Sequence, residues 1–125
     1  MSLDAIGIVS KDLTESVDFY GQLGVELKPV GGPDHLEGKT PSGVRIMVDS
    51  ESLMKQLNAT WQRGTGTSIV LCFKQNSPEN VDALFDRLKG GGRDVVKEPW
   101  DAFWGQRYCS VKDPDGNQID IFADL

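Results

Sequence analysis

The order of helix and strand signals in this chain runs through the same plan twice, and no other feature restricts its possible folds as strongly. In the first half, "AIGIV" (Ala5 to Val9) carries the β-branched residues of a strand. Asp12 and Glu15 then form a D-x-x-E cap signal ahead of a helix bearing Leu13, Val17 and Tyr20, with Gly21 and Gly24 as its stop. Three strands are expected next, at Val25 to Lys28, His35 to Lys39 and Val44 to Asp49, separated by the turn-forming "PVGGPD" and "TPSG". The half reads β-α-β-β-β.

The second half repeats this order. "SIVLCF" (Ser68 to Phe73) reads as a strand, and Ser77 followed by Pro78 reads as N-cap and first helical position. Val81, Leu84, Phe85 and Leu88 fall at i, i+3, i+4 and i+7, one apolar helix face, ended by Gly90, Gly91 and Gly92. Strands follow near Arg93 to Lys97, Arg107 to Lys112 and Asn117 to Phe122, the last two joined by "DPDG". Between the halves, Ser50 to Leu57 predicts a short helix, and Asn58 to Gly66 a linker containing Trp61.

One βαβββ module cannot cover its own apolar face, so two should pack together. The expected architecture is α+β: two tandem βαβββ modules related by a pseudo-twofold axis, their curved sheets enclosing a cavity. At 125 residues the chain fits one domain, with module one at 1–57, a linker at 58–66 and module two at 67–125. Strand alternation turns Ile6, Ile8, Ile69, Leu71, Phe73, Ile119 and Ile121 toward the helices. It turns Ala5, Gly7, Val9, Ser68, Val70, Cys72, Gln118, Asp120 and Phe122 inward. Small inward residues at Ala5, Gly7 and Ser68 either leave room for a ligand or let two sheets approach closely; the pattern allows both.

Charge and cysteine usage narrow the function classes. Thirteen Lys plus Arg against nineteen Asp plus Glu give a net charge of −6, the wrong sign for gripping a phosphate backbone, so nucleic acid is not an expected partner. No run approaches the roughly 20 apolar residues of a membrane helix, and the opening "MSLDAIGIVSKDL" lacks a basic region followed by an apolar core; a cytoplasmic protein without a membrane partner is expected. Cys72 and Cys109 sit in strand-like stretches without metal or redox spacing, and read as small buried hydrophobes.

The segment "IGIVSKDLTESVDFYGQLG", the duplicated plan and the closing "RYCSVKDPDGNQIDIF" resemble the vicinal oxygen chelate superfamily, which includes glyoxalase I, bleomycin-resistance proteins, fosfomycin-modifying thiol transferases and extradiol dioxygenases. The resemblance covers essentially the whole chain and implies the fold; the activities within the family differ widely. It also implies four inward metal-ligand positions, on the first and last strand of each module, usually His, Gln or Glu in the enzymes. Matched through the repeat, with Gly43 aligned to Gly116, these positions hold Ala5, Met47, Ser68 and Asp120. One carboxylate and a neutral hydroxyl do not replace three imidazole, carboxylate or thiolate ligands, so the expectation is no metal and no other cofactor. The single histidine, His35, lies in "PDHLEG", away from all four positions, and reads as a surface or edge-strand residue.

A further signal is "EPWDAFWGQRY" (Glu98 to Tyr108), which reads as an irregular connection crowded with large rings. Trp100, Phe103, Trp104 and Trp61 are candidate pocket walls for a planar ligand, and the inward Ala5, Arg45, Met47 and Ser68 complete the set of ligand-binding candidates. The same rings could instead pin the loop to its own sheet or sit at a dimer interface. Asp120 is either a general base or cation partner, or the internal partner of Arg45 or Arg107; Arg45 shares its predicted face with Met47. The expected function is capture of a planar or amphipathic small molecule without a catalytic metal, as in antibiotic resistance of the bleomycin type, by a homodimer. The alternative is a lyase, isomerase or transferase of the same superfamily that uses Asp120 as base and a weakly bound divalent metal.

Overall fold

The computed structural model describes residues 1–125 and divides them into two compact units, Met1–Gly64 and Thr65–Leu125. Unit 1 contains β1 (Ala5–Ser10), α1 (Leu13–Gln22), β2 (Lys28–Pro29), β3 (His35–Lys39), β4 (Arg45–Ser50) and α2 (Glu51–Leu57). Unit 2 contains β5 (Leu71–Lys74), α3 (Pro78–Gly90), β6 (Val95–Ala102), β7 (Gln106–Lys112) and β8 (Gln118–Asp124). Each unit holds one four-stranded mixed sheet, ordered β1-β4-β3-β2 in the first and β5-β8-β7-β6 in the second. The two orders are the same when read by position in the repeat. In both, the first strand pairs parallel with the last, and the other pairs are antiparallel.

The helices begin where their caps are. Asp12 accepts a bond from the Glu15 N–H at 3.2 Å, and Ser77 accepts one from the Asn80 N–H at 3.2 Å, each satisfying a donor that the first turn leaves free. Ser50 does the same for Leu53 at the start of α2. Along α3, Val81, Leu84, Phe85 and Leu88 are all buried, as their spacing predicts. Burying each is worth about 1.5–3 kcal/mol, enough to hold a 13-residue helix on its sheet. They meet the α3 side of unit 2's sheet, where Cys109, Val111, Ile119, Ile121 and Ala123 are buried. Asp113 closes the β7–β8 turn, accepting bonds from the N–H groups of Asp115 and Asn117 and from the Asn117 side chain.

Several elements depart from the sequence expectations. In α1 the buried face is Ser16, Phe19 and Tyr20, while Val17 is exposed. A buried bond of 2.6 Å between the Ser10 and Ser16 hydroxyls pins α1 to β1, and no apolar pattern could announce that contact. Gly21 lies within the helix, which runs to Gln22. Of the predicted strand Val25 to Lys28, only Lys28 pairs, although Val25 and Leu27 still fill the core. β5 begins at Leu71, so Ser68 and Ile69 precede it and Ile69 is exposed instead of packing on the helix. The aromatic segment is a hairpin: Trp100 lies in β6, and only Phe103 to Gly105 form the turn.

Candidate functional site

Unit 2 places its chemistry on the sheet face away from α3. β8 runs through the middle of that sheet, so Gln118, Asp120 and Phe122 alternate with the buried Ile119 and Ile121. Cross-strand register sets Asp120 between Cys72 on β5 and Ser110 on β7, and sets Phe122 beside Tyr108, which in turn faces Trp100 on β6. Two register shifts in β6, between Val95 and Lys97 and between Lys97 and Trp100, let Lys97 and Trp100 serve the same neighbourhood. The Lys97 ammonium sits 4.6 Å from the Trp100 ring centre.

Asp120 is 8% exposed and accepts three hydrogen bonds. One of its oxygens accepts from the Ser110 hydroxyl at 2.7 Å and from the Gln118 amide at 3.0 Å; the other accepts from the Tyr108 hydroxyl at 2.6 Å. The expected pairing with Arg45 or Arg107 is not what the structure shows. Arg107 binds Asp82 at 2.9 Å and Asp101 at 3.1 Å, tying β7 to α3 and β6. Arg45 binds Asp4 at 2.7 Å and Glu37 at 2.6 Å within unit 1. Asp120 is thus a carboxylate held by neutral donors, not by a cation. Burial, and then the bond to Asp120, hold the Tyr108 phenol far above its ordinary pKa of 10, so it keeps its proton and donates.

From Asp120 outward the face becomes aromatic. Phe122 stacks on Tyr108 with ring centres 5.7 Å apart, Tyr108 meets Trp104 edge-on at 5.3 Å, and Trp104 meets Trp100 at 5.5 Å and Phe103 at 5.0 Å. Trp104 is 48% and Phe103 91% exposed, so the outer end of this ladder is open to solvent. The Trp104 indole N–H is spent on Gln106, whereas that of Trp100 is buried with no acceptor. A buried donor without a partner is a place where a ligand oxygen would be welcome.

The sequence candidates therefore separate. Trp100, Phe103, Trp104 and Asp120 come together in unit 2, linked by Tyr108, which the sequence reading left out. Ser68 lies before β5 and is not in this cluster; the register brings Cys72 to Asp120 as it brings Gly7 to Met47, so Val70, not Ser68, occupies the place of Ala5 in the repeat. The remaining candidates belong to unit 1. Ala5 lies opposite Arg45, the Arg45 guanidinium is 3.4 Å from the Met47 sulfur, and the Trp61 ring lies under the guanidinium of Arg63. The signal for Tyr108 and Ser110 is the same period-two alternation along β7 that places Asp120 and Phe122 along β8.

The donor chemistry at the four family positions does not suit a divalent ion. Ala5 and, in the corrected register, Val70 offer no side-chain donor atom, the Met47 thioether already borders a guanidinium, and Asp120, the one strong ligand of the four, already accepts from three donors. The two cysteines are also distinct. Cys72 is exposed, while Cys109 is wholly buried and burial pushes its thiol up to about 12. An aromatic disulfide reagent should therefore titrate Cys72 alone in the native protein and both thiols in denaturant. Equal native reactivity would contradict this arrangement.

Comparison with known proteins places the chain. The model of the Glyoxalase/Bleomycin resistance protein/Dioxygenase superfamily matches residues 2–121. An uncharacterized protein of Mycobacterium bovis is 32% identical over 120 residues, an alignment covering 88% of this chain and 75% of that relative. Among solved structures, a glyoxalase/bleomycin resistance protein/dioxygenase family enzyme from Burkholderia phytofirmans superposes with a TM-score of 0.87 at 20% identity, covering 100% of both chains. A hypothetical protein from S. aureus superposes at 0.83 with 20% identity, covering 98% of this chain and 93% of that one.

Proposed function

The chain belongs to the glyoxalase/bleomycin resistance protein/dioxygenase superfamily, and from that membership we propose that it captures a planar or amphipathic small molecule on the aromatic face of unit 2, without a catalytic metal. The observation that carries this reading is the ladder of rings from Phe103 through Trp104, Trp100 and Tyr108 to Phe122, open at one end and closed at the other by a caged carboxylate. Rings give area without much loss of side-chain freedom, and edge-on packing within the ladder holds them in place before a ligand arrives. The unpartnered Trp100 N–H and the Lys97 ammonium supply the polar contacts that would orient such a ligand.

The enzymatic reading, a lyase, isomerase or transferase with Asp120 as base and a weak metal, is the less supported. A general base needs a lone pair facing the proton it removes, and three donors already take three of the roughly four acceptor sites of Asp120, which lowers its basicity and leaves a single site on the oxygen that Tyr108 also holds. Metal analysis separates the two: stoichiometric Zn²⁺, Ni²⁺, Mn²⁺ or Fe²⁺ that is lost in Asp120→Ala would overturn capture. The capturing form we propose is a homodimer, which light scattering checks.

Binding is tested by tryptophan fluorescence with a series of planar aromatic probes that includes 8-anilinonaphthalene-1-sulfonate. At least one should quench in a saturable manner. Trp104→Ala removes the ring that touches three others, and should weaken that probe about tenfold, about 1.4 kcal/mol. No saturable response across the series would sink the proposal.

A further inference from the structure

His35 stands apart from the aromatic face, in a charged row that crosses the sheet of unit 1. The row runs from Asp4, just before β1, to Arg45 on β4, Glu37 and His35 on β3, and Asp49 at the end of β4. The His35 Nδ1 lies 2.5 Å from an Asp49 oxygen and its Nε2 lies 2.7 Å from a Glu37 oxygen. A carboxylate only accepts, so a ring that bonds carboxylates through both nitrogens must carry a proton on each. With the proton lost from either nitrogen, a lone pair would face a carboxylate oxygen at the same distance, and one of the two contacts must open.

We propose that His35 is a proton-operated latch that ties β3 to the junction of β4 and α2. The junction is where loosening would matter. Asp49 is followed directly by Ser50, the N-cap of α2, whose N–H also bonds the Asp34 carbonyl at 2.9 Å. α2 has no fully buried residue and only half-buries Leu53 and Met54, so contacts at its N-terminal end, among them Arg63 to Glu51 at 3.2 Å, bear on its position.

The groups around the ring favour the protonated, closed state. β4 contributes Asp49 and Arg45, β3 contributes Glu37 and Lys39, and Asp34 precedes His35. Lys28 of β2 is opposite Glu37 but is drawn to Glu26 at 3.4 Å. β1 faces β4 with the uncharged Ala5, Gly7 and Val9. Asp49 first, and then Glu37, hold the imidazolium above its ordinary pKa of 6.5, and His35 and Arg45 hold Glu37 below its own. A raised histidine contributes its stability in full below the unfolded value of 6.5 and loses it as pH rises through the folded value.

The chain has one histidine, so its imidazole signals in nuclear magnetic resonance spectra need no assignment. At pH 6.5 both ring nitrogens should report protonation, and the midpoint should lie above 6.5, lowered by Asp49→Asn and by Glu37→Gln. Hydrogen exchange at Leu53 and Met54, corrected for the chemistry of exchange, should accelerate as pH rises through that midpoint, and should show no such step in His35→Gln. If His35→Gln does not fold, Asp49→Asn serves, with the step moved to lower pH along with the midpoint. A midpoint at or below 6.5, a midpoint indifferent to both carboxamide variants, or exchange in α2 that ignores the titration would each overturn the latch.

Discussion

Asp120→Ala should destabilise the protein by about 2–4 kcal/mol, measured by chemical denaturation. Two effects compete. Removing a buried carboxylate relieves its desolvation, which favours the variant, while leaving three donors without an acceptor disfavours it. Orphaning prevails because Ser110 is 6% exposed and cannot turn to water, whereas Tyr108 and Gln118, half-buried, partly can. Asp120→Asn should cost less, since its amide still accepts one bond and hydroxyls can reverse to accept from its nitrogen. The double variant Asp120→Ala with Ser110→Ala should recover part of the loss, because it removes the orphan with its partner. If Asp120→Ala were as stable as the natural protein, the cage would not be the anchor of the site.

Gly38→Ala should cost about 2–3 kcal/mol, the opposite of the gain usual when alanine replaces glycine in a strand. A Cβ at Gly38 would lie 2.7 Å from the Glu26 carbonyl oxygen and 2.8 Å from the Val25 side chain. The first of these is backbone, which cannot step aside. Gly7→Ala is the matched control: nothing lies within 4 Å of its Cβ, so stability should hold or rise. Equal effects at the two positions would show that strand propensity, not close approach, governs Gly38.

What the sequence disclosed, and what it withheld, divides along the range of the interaction. The caps at Asp12 and Ser77, the four-residue face of α3 and the strand His35–Lys39 are set by neighbours a few positions away, and all are found as expected. The partners of Asp120 depend on which β7 residues lie opposite it, a register that no local pattern specifies. The same gap misplaced Ser68: counting from the start of an apolar run set the repeat two residues out of step, and only the pairing of Cys72 with Asp120 corrects it. His35 shows the limit most clearly. Its strand was legible, but its carboxylate neighbours come one from its own strand and one from 14 positions along the chain.

The interior position of β8 bears on how unit 2 assembles as the chain is made. β5 and β7 touch each other nowhere in the sheet order; each is joined through β8. Until residues 118–124 have been synthesised, β5 has no ladder to enter and the hairpin of β6 and β7 has only one side satisfied. Acquisition of native structure there is consequently a late and concerted event, and a nascent chain halted before Gln118 would present unpaired strand to the cell's quality-control machinery.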